Sequence, residues 1–458
     1  MPRRNSIASI DIAHHLHPYT NLRQHQRQGP LVMTQGHGVY VTDESGKDYI
    51  EAMSGLWCAA LGFDNERLVE AAAKQMRRLP FYHGFANKSH EPVAELAERL
   101  IALMPVPMSK VFFNNSGSEA NDTALKLVWY YNNALGRHRK KKIIGRAKGY
   151  HGVTIATASL TGLAANHRDF DLPIANIRHA DAPHFYRGAH PGESEEDYAT
   201  RLADSLDALI QREDPETVAA FIAEPVMGAG GVLLPPKTYF AKVQAVLKKH
   251  DVLLMADEVI CGFGRTGNIF GSETYGLKPD ILTLAKAVTS AYLPLSATVI
   301  SEPIYQAMLT QSDKLGVFAH GYTYSGHPVC CAVAIEALKI YDERDIVGHV
   351  RKVAKHFQTG LQRFASHRLV GEARGVGLLG ALEIVRDKAT NASFDPQRGA
   401  AALIANAAQE NGLIIRPLGG DIIAFCPPLV ISEAEIDELW SRFADALDRA
   451  SAQLASGS

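Results

Sequence analysis

Two residues near the middle of the chain carry the strongest chemical signal, Asp257 and Lys286. Each follows a short apolar run, VLLMA at 252–256 and ILTLA at 281–285. Runs of this length and composition read as buried parallel strands. In an open α/β sheet, groups at the carboxyl ends of strands meet in the ligand crevice. The spacing therefore puts a carboxylate and an amine at the same end of one buried sheet. Lys286 has the apolar neighbours Leu284, Ala285, Ala287 and Val288. Burial disfavours an ammonium and leaves a free amine, which a Schiff-base lysine needs. A carboxylate in the same pocket can pair with a protonated pyridine nitrogen. Taken alone, a lysine after a strand is more often a surface group, since buried lysines are rare.

Other groups sit at similar places. Ser116-Gly117-Ser118 follows an apolar run at 110–113 and precedes a helical pattern at 119–132. Backbone N–H groups at a helix N-terminus, with a glycine allowing close approach, make a phosphate site. The same string is equally an ordinary turn with Ser118 as the helix cap. Gly149-Tyr150-His151-Gly152 holds an aromatic ring that can stack on a planar ligand, although most tyrosines simply pack. Glu224 ends the run 218–223, where a carboxylate is usually hydrogen-bonded structure. Arg416 precedes a Pro-Leu-Gly-Gly turn and offers either bidentate carboxylate recognition or a solvated charge. Trp57 and Phe85 are single aromatics, more often core than site.

Positioning such groups requires a sizeable α/β body, and 458 residues suffice for two domains or one large enzyme. Runs at 110–113, 142–144, 218–223 and 252–256 read as strands, and 119–132 and 239–249 as helices. The alternation argues a mostly parallel sheet with helices on both faces. A hairpin is read at 38–53, turning at 43–46, and a helix over 65–78. The polar stretches 187–200 and 386–399 read as surface loops. After Pro328 the composition turns helix-rich, and Ser432 with Glu435 forms a capping box before a last helix that ends in a fraying ASGS. Residues 1–30 form a polar, His-rich arm (HHLHP at 14–18) that packs on something else. The division expected is a small domain from 1–70 and 326–458 beside a large one at 71–325.

Bulk composition narrows the function. A net charge of −2 gives no footprint for nucleic acid or an anionic membrane. The basic start, Arg3-Arg4, lacks the apolar core of a secretory peptide, and no run long enough to span a membrane occurs. Five scattered cysteines fit reduced thiols in the cytoplasm. Without HExxH or paired CxxC, no metal site is expected.

The strings around these residues closely resemble those of the class III, or omega-, aminotransferases. Asp257-Glu258-Val259 with GFGRTG, then LAKAVTSAYLPLSA, carry the resemblance, which extends from MSGLW to GLIIRPLGGD. It implies a pyridoxal phosphate (PLP) transferase of fold type I: a large domain with a mostly parallel sheet, plus a smaller α/β domain from both chain ends. It implies that Lys286 carries the cofactor and that Asp257 holds a proton on its pyridine nitrogen, making the ring an electron sink. NNSGSEAND matches the phosphate cup (Ser116, Gly117, Ser118). Tyr150 matches the stacking aromatic, with His151 beside it and Val259 on the opposite ring face. Glu224 matches the carboxylate near the ring hydroxyl. Thr323 in GYTYSGHP matches a phosphate ligand supplied by the neighbouring subunit, which implies a homodimer with its active site at the interface, or a tetramer. Trp57, Phe85, Tyr150 and Ala229 match substrate-pocket walls. Arg416 matches an arginine that clamps the keto acid's carboxylate and swings aside for apolar amines.

The function expected is ping-pong transfer of an amino group from a primary or omega-amine to a small keto acid, pyruvate first. The alternatives are 2-oxoglutarate as acceptor, as in ornithine- or gamma-aminobutyrate-type members, a mutase, and a binding protein that kept the fold. GVGLLG at 375–380 satisfies G-x-G-x-x-G and raises a nicotinamide-dependent dehydrogenase as a further alternative. A strand-like run follows it where a nucleotide site needs a helix.

Overall fold

A computed structural model describes residues 6–456. Arg3, Arg4 and the last two residues of ASGS lie outside the described residues, and the last helix runs over Glu433–Ser456. The central sheet has seven strands in the order Lys110–Asn114, Ser296–Ile300, Ile281–Leu284, Leu253–Asp257, Val218–Ala223, Lys142–Arg146 and Ile177–Ala180. Its interior strands are buried on both faces, as the unbroken apolar runs require. Pairing is parallel throughout except at Ser296–Ile300, which runs antiparallel to both neighbours. Asp257 sits opposite Thr283 in the register, three residues before Lys286. The two groups thus share the carboxyl edge of adjacent strands, where ligands bind in such sheets.

A second sheet orders Met33–His37, Tyr40–Asp43, Asp48–Glu51 and Leu413–Ile414, so segments far apart in sequence pair with each other. Its hairpin follows the sequence reading. Asp43 Oδ1 accepts Ser45 N–H at 2.8 Å and the Ser45 hydroxyl at 2.6 Å, closing the turn. A third sheet orders Val370–Val376, Leu379–Ile384, Ile422–Phe425 and Arg416–Leu418. The region after Pro328 is therefore not simply helix-rich. GVGLLG forms a tight hairpin here, with Gly375 opposite Gly380, so the helix a nucleotide site needs is replaced by a strand.

One loop expectation fails. Residues 194–200 of the polar stretch open the helix Glu195–Arg212. Ser194 caps it by accepting Asp197 N–H, and Glu195, Glu196 and Asp197 suit the positive end of the helix dipole. The charges that read as a loop are those of a helix start, while Tyr198, Ala199 and Leu202 bury one face. Among the described residues, no helix is long and apolar enough to cross a membrane.

Glu51 ends its strand beneath the loop that carries Trp57. It accepts Gly55 N–H through Oε2, and its buried Oε1 has no hydrogen-bond partner among the described residues. Burial pushes its carboxyl up to about 8. An unfolded glutamate titrates near 4.3, so between roughly 4.3 and 8 the folded state binds the extra proton. Stability therefore falls as pH rises through that window. Glu51→Gln should become progressively more stable relative to the parent from pH 5 to 8. Thermal unfolding at several pH values checks this, and a pH-independent difference would contradict it.

Candidate active site

Asp257 is fixed by three donors. Its Oδ1 accepts Val259 N–H at 3.1 Å, and its Oδ2 accepts from Asn121 Nδ2 and His151 Nδ1, both at 2.8 Å. A carboxylate only accepts, so Nδ1 carries the His151 proton. His151 Nε2 is buried and has no partner among the described residues. Asn121 is itself held, donating to His151 O at 2.8 Å and accepting from the Thr283 hydroxyl at 2.8 Å. Such a network leaves the carboxylate one position and one orientation.

Lys286 opens a short 3-10 turn directly after Ala285, with φ of +52°. Ser290 and Ala291 also have positive φ, at +50° and +66°. Non-glycine residues adopt such backbone only where the surroundings impose it. Here Ser290 Oγ accepts Leu61 N–H at 2.8 Å, and Tyr292 OH accepts Asn65 N–H at 2.6 Å. The strained turn is thereby tied to the segment carrying Trp57. Burial lowers the Lys286 ammonium below the ordinary lysine range, against the opposing pull of Cys58 and Asp257. No ion pair joins Lys286 to Asp257 among the described residues.

The phosphate corner lies at the start of the helix Gly117–Ala134. Ser116, not Ser118, is the cap, accepting Glu119 N–H at 3.2 Å. Ser118 Oγ instead accepts Val153 N–H at 3.1 Å, joining this helix to the Tyr150 loop. A Cβ on Gly117 would lie 3.2 Å from Val259 Cγ1, and one on Gly152 would lie 2.6 Å from Ser118 Oγ. Both glycines therefore keep space that any side chain would fill. Glu224 spans the other wall, accepting Tyr150 N–H and Gly228 N–H, both at 3.0 Å, and burial raises its carboxyl. The cavity between these walls, about 520 Å³, is lined by Gly117, Ser118, Asn121, Tyr150, His151, Glu224, Asp257, Val259 and Lys286 among others. Its donor set fits PLP. First-turn N–H groups suit a phosphate, a fixed carboxylate suits a pyridinium, and a desolvated amine suits an aldehyde.

A second cavity adjoins the first and shares Tyr150, Ile260 and Lys286 with it. Tyr19, Leu56, Trp57, Asn166, Ala229 and Arg416 complete much of its lining. Arg416 is half-buried in the short strand Arg416–Leu418, and no carboxylate pairs with it among the described residues. Burial lowers its guanidinium, with Tyr150 and Tyr19 acting in the opposite sense.

Phe85 and Thr323 are not brought into either cavity of this chain. Both are exposed, and they share one surface, where the Phe85 ring packs over Gly321. Residues at the site that escaped sequence reading include Tyr19, Leu56, Asn121, Asn166 and Ile260. Asn121 lies inside the quoted NNSGSEAND string, one helical turn after Gly117, and that spacing is its only signal. Tyr19 belongs to the amino-terminal arm, which packs on the cavity mouth through Asn166 Nδ2 donating to Tyr19 OH at 2.5 Å.

Comparison with known proteins agrees with this geometry. Residues 22–447 match the family model described as aminotransferase class-III. A tomato (Solanum lycopersicum) protein named gamma aminobutyrate transaminase 1, mitochondrial, is 52% identical over 433 residues, 94% of this chain and 84% of the relative. The omega transaminase from Pseudomonas jessenii, solved in complex with PMP, superposes with a TM-score of 0.97 at 53% identity, covering 99% of this chain and 100% of that one. A thermostable omega transaminase variant with a tryptophan, a phenylalanine and an arginine replaced, engineered for asymmetric synthesis of bulky amines, superposes at 0.96 with 53% identity, covering 98% and 100%. Fold, site and relatives together place this chain in the class-III aminotransferase family, as a PLP-dependent transaminase of fold type I.

Proposed function

We propose that the chain moves the amino group of a primary amine or omega-amino acid to a small keto acid, pyruvate first. The observation that carries this reading is Arg416, a half-buried guanidinium without an acid partner among the described residues, on the cavity it shares with Lys286. A single carboxylate, at one end of the substrate, satisfies it. Pyruvate has one, and so does gamma-aminobutyrate, the substrate in the tomato relative's name. The second carboxylate of 2-oxoglutarate would instead meet Leu56, Trp57 and Ala229, and burying an unpaired charge is costly.

Bound in the first cavity, PLP supplies the electron sink for bond breaking at the substrate's amine carbon. Gly117, Ser116 and Ser118 would hold its phosphate, and Tyr150 and Val259 would pack against its ring. Asp257 holds a proton at the ring nitrogen, kept in place by Asn121 and His151. Glu224 orients the Tyr150 loop through two backbone bonds. Lys286 Nζ, whose ammonium is disfavoured by burial, accepts the proton from the substrate carbon and returns it on the cofactor side. Trp57 and Ala229 set the width of the amine pocket.

The chain works as a homodimer, alone or paired into a tetramer, in this reading. The shared exposed surface of Phe85 and Thr323 supports it, since both residues then serve the neighbouring subunit's site. We assign residues 71–325 to the large domain and 1–70 with 326–458 to the small one, a division supported by the strand pairing of Asp48–Glu51 with Leu413–Ile414. Five cysteines without a disulfide favour the cytoplasm over an oxidising compartment.

Asp257→Asn should retain PLP yet lose about 10²–10⁴ in turnover, because a neutral amide cannot hold the ring proton. Near-normal rates at full cofactor occupancy would remove that role. Arg416→Ala tests the substrate reading. Losing a charge-assisted pair costs about 1.5–3 kcal/mol, roughly ten- to a hundredfold. Stopped-flow measurement of each half-reaction should show that loss with pyruvate and little change with an amine lacking a carboxylate. Equal losses in both halves would make Arg416 structural, and no loss in either would pass acid recognition to another residue.

A further inference from the structure

The amino-terminal arm gathers a set of donors that transamination does not use. Asp11 lies on the helix Ile7–His14, His15 and His17 follow it, and His25 lies on the helix Leu22–Gln28. His15 Nδ1 is 3.1 Å from Asp11 Oδ2, and His17 Nε2 is 2.7 Å from Asp11 Oδ1. His25 Nε2 approaches the same Oδ1 from the second helix, at 3.1 Å. The donor atoms of Asp11, His15 and His17 all lie within 4.8 Å of one another. The rings crowd together, with centroids 4.3 Å apart for His15–His17 and 4.1 Å for His17–His25.

Hydrogen bonds to Asp11 account for His15 and His17 but not for His25. The His25 side chain is only 8% exposed, yet its Nε2, though 3.1 Å from Asp11 Oδ1, makes no hydrogen bond among the described residues. A buried polar nitrogen is normally satisfied, and leaving it unsatisfied is unfavourable. Three imidazole nitrogens and a carboxylate oxygen are the donor set of a four-coordinate zinc site. Ligand atoms around a tetrahedral zinc with bonds of about 2.0–2.1 Å lie about 3.3 Å apart. The approaches to Asp11 are 2.7 and 3.1 Å at Oδ1, from His17 and His25, and 3.1 Å at Oδ2, from His15, so binding requires His15 and His25 to close on one carboxylate oxygen. No Cys-x-x-Cys or HExxH pattern announces such a site, because its ligands come from positions 11, 15, 17 and 25 across two helices.

The arm also has little buried surface to keep it folded within the chain. Its helices have eight and seven residues and bury none of them. Helices this short are not stable by themselves. Yet the segment between them must present Tyr19, which lines the substrate cavity at a φ of +48° and is held by Asn166. We propose that Asp11, His15, His17 and His25 bind one zinc ion per chain, which clips the two arm helices together and holds Tyr19 at the cavity. The site is a structural clip, and none of its four residues lines either cavity. The metal has four protein ligands and no open position for chemistry.

The test uses tag-free, full-length holoenzyme, treated with a chelator, dialysed, and titrated with zinc alone by calorimetry. One zinc per chain is expected, and tetrahedral visible bands should appear when cobalt(II) replaces zinc. His17→Gln and His25→Ala should each weaken zinc binding at least about tenfold, with the cofactor's visible absorbance unchanged. Zinc should also slow proteolytic cleavage within residues 12–30 of the parent and not of either variant. If either variant misfolds, His15→Asn replaces it at the most exposed ligand, 60% accessible. Absence of stoichiometric zinc binding by the parent would overturn the proposal. So would equal zinc affinity in the parent and the folded variants.

Discussion

The site depends on keeping a carboxylate and an amine close together without letting them neutralise each other. Asp257 and Lys286 leave adjacent strands at the same edge of a buried sheet, where an ion pair would ordinarily form. The fold prevents it from both sides. Asp257 already accepts from Val259, Asn121 and His151, which fix its position and leave one acceptor site for a pyridinium. Lys286 sits in a turn whose positive φ is imposed by contacts through Ser290 and Tyr292. The carboxylate is held in one position, and burial lowers the ammonium, which favours the free amine. Much of the remaining architecture serves that separation: Glu224 braces the Tyr150 loop, and the Gly117 helix closes the phosphate end.

The same logic extends to Arg416. A guanidinium without a partner is costly in a half-buried place. It is tolerable where a substrate carboxylate completes it in one half of the cycle. The flanking Pro417, Leu418 and Gly419 share its cavity, and Gly419 has open space where a Cβ would sit. Local movement of the arginine therefore meets little steric resistance.

Legibility in the sequence followed the range of the interactions. Asp257, Lys286 and Glu224 were readable because each ends a buried strand, and an apolar run ending in a charge is a local pattern. The parallel sheet was readable for the same reason. Asn121 was not, because its partner Asp257 is 136 residues away. Tyr19 was hidden in a polar arm whose purpose shows only once Asn166 and Arg416 stand beside it. The helix at Ser194 was misread because an acidic first turn has the composition of a loop, and only the buried face from Tyr198 onward distinguishes the two. Phe85 and Thr323 carry no local signal, and within one chain they lie on the surface.

The account rests most heavily on Lys286 as a desolvated amine. Cofactor-free enzyme should be mixed with PLP across a range of pH, reduced with borohydride, and mapped by peptide mass. A depressed amine pKa means that the reactive free amine is already present at lower pH than for an ordinary lysine. The account predicts label on Lys286 alone, with a rate that rises with pH through a midpoint below the ordinary value of about 10.4. Label on a different lysine, or a midpoint at or above that value, would contradict it.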